Sequence, residues 1–102
     1  MQSTDVLHNT DESRYELRRD GVEIGIAEYR LLPTPPGEEP VAEFHHTLIE
    51  PAERGKGNAK RLVAAALDDV RDRGLRVKPT CWYVDQFIVE HPAYADLQAE
   101  RN

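Results

Sequence analysis

The sequence predicts a mixed α+β fold, in which a mainly antiparallel sheet of about four strands is accompanied by two or three helices. Three stretches alternate with a period of two residues and are separated by turn-forming residues, which is typical of antiparallel strands. A later stretch repeats its apolar residues at steps of three and four, which is typical of an amphipathic helix. The predicted order is β-β-β-α-β-α.

The first part of the chain predicts a tail followed by a hairpin. Residues 1–13 are polar and aperiodic, so we expect a flexible N-terminal tail, with a single domain over residues 14–102. A period of two runs from Tyr15 to Arg19 and again from Val22 to about Leu32. The dipeptide Asp20-Gly21 between these two stretches favours a two-residue hairpin turn.

A loop and a third strand follow the hairpin. Segment 33–40 carries four prolines, which donate no backbone hydrogen bond and therefore predict a loop. Segment 41–49 alternates again and predicts a strand. One face of that strand is expected to carry Phe44, His46 and Leu48, and the other face Glu43, His45 and Thr47.

The second half of the chain predicts a long helix, a short strand and two short helices. The helix spans about 57–73 and ends at Gly74, and its apolar stripe consists of Ala59, Leu62, Val63, Ala66, Leu67 and Val70. A fourth strand is expected over 75–83, parallel to the third because a helix joins them. Short helices are expected over 85–90 and 93–101, on either side of Pro92.

Composition narrows the classes of function. A net charge of −6 argues against a nucleic-acid surface, which needs a basic face. A single cysteine, Cys81, cannot form an internal disulfide or a multi-cysteine zinc site, and we predict no metal site. No apolar stretch approaches the ~20 residues that span a bilayer, and no signal-peptide pattern opens the chain. We therefore expect a cytoplasmic protein without a membrane partner.

The most informative segment is the glycine-rich turn before the long helix, Arg54-Gly55-Lys56-Gly57-Asn58-Ala59-Lys60. A glycine turn that leads into a helix N-terminus forms a phosphate site, because the first helical N–H groups lack partners and the helix dipole is positive there. A Walker loop is excluded, since no Ser or Thr follows Gly55-Lys56 to hold magnesium. A dinucleotide fingerprint is excluded because Lys60 stands where the third glycine is required.

The segment from Leu48 to Val63 closely resembles the acetyl-CoA motif of the Gcn5-related N-acetyltransferase superfamily. An apolar strand, Pro51, Arg54, both glycines and an amphipathic helix follow one another at the family spacing. His46-Thr47, Thr80–Tyr83 and Glu90–Tyr94 extend the likeness to its minimal subfamily of about 100 residues, from about Tyr15 to Leu97. Two features depart from the pattern: Asn58 replaces an isoleucine-like residue, and the loop over 33–40 is longer and richer in proline.

This resemblance implies a truncated acyl-CoA N-acetyltransferase fold with acetyl-CoA as its cofactor. The implied cofactor contacts are the strand backbone at Leu48, Ile49 and Glu50 and the turn residues Arg54, Gly55, Lys56, Gly57, Asn58, Ala59 and Lys60. The implied catalytic residues are Cys81, His46 and Tyr83.

Each catalytic residue has a second interpretation. Cys81 is either a nucleophile or proton donor at the thioester, or a small buried hydrophobe. His46 is either its base or a structural strand histidine. Tyr83 is either a proton donor to the departing thiolate or a core residue.

Two functions remain open, and a structural protein with an incidental glycine turn is a third reading. The first is an N-acetyltransferase that acts on an amine of a small molecule or on a protein lysine. The second is an acyl-CoA-binding regulatory or sensor module without efficient transfer. The acceptor itself is not identified by the sequence, and a protein or peptide acceptor fits the shallow site that a short chain would form.

Overall fold

The computed structural model of the protein describes residues 3–99, which contain a sheet of five strands. The strands are β1 (Thr4–Asn9), β2 (Arg14–Arg19), β3 (Val22–Leu32), β4 (Val41–Ile49) and β5 (Arg76–Pro79). The helices are α1 (Asn58–Asp72) and α2 (Trp82–Glu90), and two short 3₁₀ helices span Pro51–Glu53 and Pro92–Leu97.

The order of strands in the sheet follows the chain, from β1 at one edge to β5 at the other. Neighbouring strands are antiparallel except β4 and β5, which run parallel because α1 connects them. The predicted hairpin turn between β2 and β3 forms with Asp20 at φ 49° and Gly21 at φ 83°. The predicted α+β class and the parallel pair across the helix are confirmed, with one strand more than expected.

The additional strand is β1, and it corrects the prediction of a flexible tail over residues 1–13, of which residues 1 and 2 lie outside the described residues. Val6 lies opposite Leu17 and His8 lies opposite Tyr15 in the antiparallel pair with β2. Val6 and His8 are half-buried, whereas Asp5 and Leu7 are exposed. The residue types do not alternate in the same way, because apolar Val6 and Leu7 are adjacent and the exposed one is Leu7, so they did not predict a strand. The folded part of the chain therefore begins before residue 14.

A β-bulge in β4 corrects the predicted faces of that strand. Tyr29 lies opposite Phe44, but its neighbour Glu28 lies opposite His46, which leaves His45 without a partner in β3. An extra residue inverts the alternation beyond it, because side chains in a strand repeat with a period of two. Phe44 is therefore buried while His46 and Leu48 are exposed, whereas Thr47 is half-buried and Ile49 is buried.

The segment after α1 also differs from the prediction, because β5 ends at Pro79 rather than continuing to Tyr83. The backbone N–H groups of Thr80 and Cys81 both donate to the carbonyl of Phe44, at 3.1 and 2.9 Å. The Thr80 hydroxyl is a third donor to the same oxygen, at 3.3 Å. The chain then turns away from the sheet, and α2 begins at Trp82.

The end of the described chain forms the 3₁₀ helix over Pro92–Leu97 instead of the helix predicted over 93–101. Residues 100 and 101 of that prediction lie outside the described residues. Gln98 forms a single parallel bridge with Val77, so the chain runs briefly along the outer edge of β5.

Helix α1 packs its apolar stripe against the core as predicted. Five of the six stripe residues are buried, namely Leu62, Val63, Ala66, Leu67 and Val70, and Ala59 packs against their cluster. Gly74, at φ 72°, follows the helix as expected for its termination. No helix between residues 3 and 99 is both long and apolar enough to cross a membrane.

The sheet face opposite this core is polar around Glu16, which is only 1% exposed. Arg14 and Arg18, which flank Glu16 on the same face of β2, bond its carboxylate at 2.8 and 2.6 Å, and Asn9 bonds it at 2.9 Å. The hydrogen bonds from Asn9 and Arg18 hold the pKa of Glu16 at about 2, against the effect of burial. This face is therefore held together by ion pairs, and α1 covers the other one.

Candidate functional site

The glycine turn before α1 has the backbone conformation that the phosphate-site prediction requires. Gly55 and Gly57 lie at φ 76° and 77°, in the left-handed region that other residues rarely adopt. A Cβ atom at either position would meet no atom within 4 Å. The glycines are therefore explained by the shape of the turn, and the space above both of them is open.

Gly57 precedes the first residue of α1 and provides no side-chain cap. The first intrahelical bond runs from the N–H of Arg61 to the carbonyl of Gly57, at 3.1 Å. The N–H groups of Asn58, Ala59 and Lys60 therefore have no partner within the helix, as at any helix N-terminus. These donors and the positive end of the helix dipole lie at the glycine turn.

A cavity of about 270 Å³ lies at this end of α1. Its lining consists of Ile49, Glu53, Arg54, Gly55, Gly57, Asn58, Ala59, Lys60 and Tyr83. All of these except Glu53 are residues for which the sequence predicted a cofactor or catalytic role. The structure thus brings Tyr83, from the first turn of α2, to the glycine turn and the end of β4.

The cations of the turn are largely unpaired. Among residues 3–99, the side chains of Arg54, Lys60 and Arg61 have no ion pair with a carboxylate. The Lys56 ammonium lies 3.9 Å from the Glu53 carboxylate and outside the cavity lining, with its side chain 57% exposed. Arg54 Nε donates to the carbonyl of Ile49 at 3.0 Å. The site is therefore cationic in a chain that is acidic overall.

Asn58 lines the cavity but its amide group has a structural partner. The side chain is 3% exposed, and its Nδ2 donates to the carbonyl of Glu53 at 2.9 Å. This bond ties the first turn of α1 to the 3₁₀ helix that precedes it. The asparagine that departs from the resembled motif thus holds the turn in place.

Beyond the bulge, one edge of β4 has no neighbouring strand. Pairing with β5 covers only Val41–Phe44, since β5 ends there. The N–H of Glu50 donates to Ile24 of β3 at 2.9 Å. Because backbone groups in an antiparallel ladder alternate in direction, Thr47 and Ile49 direct theirs to the open edge.

The backbone of Leu48–Glu50, which was predicted to contact the cofactor, does not all face the open edge of β4. Ile49 faces the open edge and the cavity, whereas the backbone groups of Leu48 and Glu50 face β3 by the same alternation. The Leu48 side chain is 43% exposed on the other face of the sheet.

Cys81 meets Thr47 rather than the predicted partner His46. Cys81 is the residue just before α2, and its Sγ donates to the Thr47 hydroxyl at 3.4 Å. The bulge at His45 turns His46 to the opposite, exposed face of the sheet. The prediction that His46 and Cys81 form a pair is therefore wrong, because it assumed an uninterrupted alternation in β4.

Tyr83 is half-buried in the cavity wall. Burial, and then the nearby charge of Glu90, raise the pKa of its phenol. A raised pKa keeps the hydroxyl protonated at neutral pH, so Tyr83 is available there as a hydrogen-bond or proton donor.

Three residues at or beside the site were missed as site residues from the sequence: Thr47, Glu53 and Arg19. Glu53 lines the cavity, and Arg19 of β2 donates from Nη1 to its carboxylate at 2.5 Å. Arg19 and Glu53 are 34 residues apart, so no local pattern indicates their contact. The role of Thr47 depends on the bulge, which has no marker in the residue types.

Comparison with known proteins finds relatives at the level of sequence. Protein NATD1 of Bos taurus is 44% identical over 52 residues, which are 51% of this chain and 46% of that protein. Protein NATD1 of Homo sapiens is 40% identical over 52 residues, with 51% and 46% covered. The chain thus spans about half the length of these relatives.

Solved acetyltransferase structures share the fold. A ribosomal-protein-alanine N-acetyltransferase from Brucella melitensis biovar Abortus 2308 superposes with a TM-score of 0.64 at 17% identity, over 99% of this chain and 93% of that one. The aminoglycoside N-acetyltransferase AAC(6')-Iy in complex with CoA superposes with a TM-score of 0.53 at 26% identity, over 87% and 62%. A sequence profile of the family described as GCN5-related N-acetyl-transferase matches residues 14–97. With most of its length matched by that profile, the chain belongs to the GCN5-related N-acetyltransferase family.

Proposed function

We propose that this chain binds acetyl-coenzyme A and transfers the acetyl group to an amine of a small molecule or of a protein lysine. The observation that carries the proposal is the cavity at the N-terminus of α1, which joins the glycine turn to Ile49 on the open edge of β4. Coenzyme A combines a diphosphate with an amide-bearing arm, so its two parts match the two parts of this cavity.

The diphosphate is assigned to the glycine turn. The free N–H groups of Asn58, Ala59 and Lys60 are donors that suit phosphate oxygens, and the helix dipole favours a negative charge there. The open space over Gly55 and Gly57 lets a phosphate approach the backbone closely. Arg54 and Lys60 add positive charge from the cavity wall.

The amide-bearing arm is assigned to the open edge of β4. The backbone groups of Thr47 and the N–H of Ile49 can pair with the amides of the arm as they would with a neighbouring strand, whereas the Ile49 carbonyl already accepts a bond from Arg54 Nε. This leads the thioester toward Cys81, whose thiol contacts Thr47. The same placement of the arm brings the thioester past Tyr83, which lines the same cavity as Ile49.

Transfer requires that the amine nitrogen attack the thioester carbonyl, so that a C–N bond forms as the C–S bond breaks. The amine gives up a proton to a base, and the departing thiolate gains one. Tyr83 is the proposed proton donor to the thiolate, since burial keeps its phenol protonated. His46 is the proposed base for an acceptor that approaches from the exposed face of β4.

Cys81 has a separate role in this proposal, in which it acts without His46. Its thiol lies where it could accept the acetyl group from coenzyme A, forming a cysteine thioester and releasing the coenzyme A thiol. That step would make Cys81 an acetyl carrier between coenzyme A and the amine.

A second candidate function is an acyl-CoA-binding module without efficient transfer. Within residues 3–99, α2 is followed only by the 3₁₀ helix over Pro92–Leu97 and the bridge at Gln98. Among those residues none after Tyr83 lines the cavity, and a side left open in this way suits either a large acceptor or none.

Intact-mass measurement after incubation with acetyl-coenzyme A separates these two functions. An acetyl group on the protein that passes to added amines, and that disappears in Cys81→Ser, supports transfer through Cys81. Transfer that persists in Cys81→Ser supports direct attack by the amine. Tight binding with no transfer across a panel of amines and lysine peptides supports the module.

The binding claim is tested with Gly57→Glu, which introduces a carboxylate at the glycine turn. Gly37→Glu is the matched control, because Gly37 also has a positive φ, of 88°, and open space around it, but lies in the 33–40 loop. We expect loss of coenzyme A binding in Gly57→Glu only, as measured by calorimetry. Equal affinity in the two variants would place the phosphate site elsewhere.

A further inference from the structure

We propose that Arg19 is a positioning residue for coenzyme A, which it helps to bind by neutralising and holding the carboxylate of Glu53 beside the phosphate turn. The inference rests on the proposed binding of coenzyme A and concerns how this chain sets its affinity. The glycine motif itself requires neither Arg19 nor Glu53, and Arg19 lies on β2 whereas the glycine turn follows β4.

The carboxylate of Glu53 is unfavourable beside an anion site, so its contacts should show how its negative charge is neutralised. Glu53 belongs to the lining of the cavity that also contains Arg54 and Lys60, and its carboxylate lies 3.9 Å from the ammonium of Lys56 in the glycine turn. A negative charge at that position repels a diphosphate, and it also attracts Lys56, whose ammonium is 3.9 Å away. An uncompensated Glu53 would therefore weaken the site in two ways.

Arg19 compensates this charge from outside the cavity. Its Nη1 donates to Glu53 Oε1 at 2.5 Å, and both side chains are largely buried, at 20% and 18% exposure. The hydrogen bond from Arg19 is the main cause of a lowered pKa at Glu53, so the carboxylate stays ionised and paired. Arg19 Nε is buried with no hydrogen-bond partner among residues 3–99, so Glu53 is the partner that orients this side chain.

The backbone of Glu53 is held separately from its carboxylate. The carbonyl of Glu53 accepts the bond from Asn58 Nδ2 at 2.9 Å, while its carboxylate is held by Arg19. Glu53 thus connects β2 to the first turn of α1. Since Arg19 does not line the cavity, its effect on a ligand is transmitted through Glu53.

The test is a double-mutant cycle read by calorimetry with two probes, coenzyme A and pantetheine, which lacks the phosphates. We expect Arg19→Gln to weaken coenzyme A binding about tenfold, because the charge of Glu53 is left facing the phosphates. Pantetheine affinity should change little, since that arm carries no charge. The loss should shrink as salt is raised, because mobile ions screen the repulsion.

The second arm removes the carboxylate itself. Glu53→Gln alone should bind coenzyme A as well as wild type or up to about threefold more tightly, because the repulsion is gone. Arg19→Gln combined with Glu53→Gln should recover most of the affinity lost in Arg19→Gln. Arg19→Lys keeps the charge and should lie within about threefold of wild type.

The outcomes that would overturn the inference are distinct from those that would overturn the proposed function. Arg19 is merely structural if the double variant stays as weak as Arg19→Gln, or if pantetheine binding falls equally. The inference also fails if Glu53→Gln weakens coenzyme A binding, a result that does not depend on whether Arg19→Gln folds. If wild type itself does not bind coenzyme A, the proposed function is wrong.

Discussion

Both ends of α1 carry charged side chains, but among the described residues those at the N-terminal end are largely unpaired, whereas those around Asp69 in the C-terminal half are paired. At the N-terminal end, Arg54, Lys60 and Arg61 have no carboxylate partner among the described residues, and the backbone donors of the first turn are free. In the C-terminal half, Asp69 accepts hydrogen bonds from Tyr15 and from Arg73, each at 2.6 Å. The charged groups of the first end are largely without partners within the described residues, whereas those around Asp69 bond one another.

The C-terminal half extends its network to β1 and β3. His8 stacks on Tyr15 with ring centroids 4.1 Å apart, and its Nε2 lies 2.7 Å from the Tyr29 hydroxyl. Its Nδ1 lies 3.2 Å from Asp69 Oδ2 but outside hydrogen-bond geometry. Burial raises the pKa of Tyr15, and the hydrogen bonds from Tyr15 and Arg73 outweigh burial to lower the pKa of Asp69.

The two halves of α1 also differ in the cavities beside them. A cavity of about 340 Å³ lies beside this network, lined by Val6, His8, Tyr15, Ala65, Asp68, Asp69 and Asp72, and is larger than the 270 Å³ cavity at the glycine turn. Its key polar groups already bond one another, whereas the Arg54 and Lys60 side chains of the smaller cavity have no ion pair with a carboxylate among residues 3–99. Free donors and unpaired charge therefore favour the smaller cavity as the proposed coenzyme A site.

The largest effect on this contrast is expected from Asp69→Ala. The change leaves the Tyr15 hydroxyl buried without its acceptor and removes the partner of Arg73, so we expect a loss of about 3 kcal/mol in the free energy of unfolding. Asp72→Ala is the control, since Asp72 is exposed and forms no ion pair among residues 3–99. Urea titration measures both. A loss in Asp69→Ala no larger than in Asp72→Ala would contradict the structural role of this network.

A smaller effect is expected from Asn58→Ala at the other end. The substitution leaves the carbonyl of Glu53 without its buried donor, and we expect a loss of about 1.5 kcal/mol in the free energy of unfolding. Coenzyme A affinity should also fall, because the first turn of α1 is no longer tied to the 3₁₀ helix before it. Unchanged stability would show that this bond does not hold the turn.

Lys60→Ala separates binding from stability. We expect coenzyme A affinity to fall about fivefold, with a weaker dependence on salt, because one cation of the cavity wall is lost. The free energy of unfolding should stay within about 0.5 kcal/mol of wild type, since Lys60 is exposed and unpaired among the described residues. Lys78→Ala, which removes an exposed lysine of β5, should change neither quantity.

The smallest expected effect is a pH dependence due to His8. Burial, and then the charge of Arg73, lower the pKa of His8, so folding favours its neutral form. Its contribution is complete above the unfolded value of 6.5 and is lost as pH falls below it. We expect stability to decrease between pH 7.5 and 5.5 by less than the roughly 1 kcal/mol typical of a point substitution.

His8→Gln should remove this pH dependence, and His45→Gln at the exposed bulge should preserve it. Asp69 does not confuse the measurement, because its lowered pKa means that its contribution is lost only below about pH 4. A slope that is the same in His8→Gln and wild type would show that another group causes it.

The sequence predicted features that are set by neighbouring residues, and it did not predict features that are set by contacts between residues far apart in the chain. Asp20-Gly21 predicted the hairpin, and the glycine turn predicted the phosphate geometry, because each signal lies within a few neighbouring residues. Strand β1 was missed because its apolar residues do not alternate, and Tyr15 and Leu17 supply the surface on which it packs. The Arg19–Glu53 pair depends on sheet topology and has no local signature.

The bulge at His45 limited the prediction most severely. Any uninterrupted strand would place Phe44 and His46 on one face, and nothing in the sequence marks where the alternation changes phase. One unpaired residue therefore exchanged His46 for Thr47 as the neighbour of Cys81.

The Phe44 carbonyl, with its three donors from Thr80 and Cys81, has a thermodynamic consequence. These bonds fix the point at which β5 leaves β4, so the gap between the two strands exists in the free protein. A ligand that fills it need not order or separate them, and little conformational entropy is lost on binding. The heat-capacity change of binding should then reflect only the surface that the ligand covers, as in other preorganised sites.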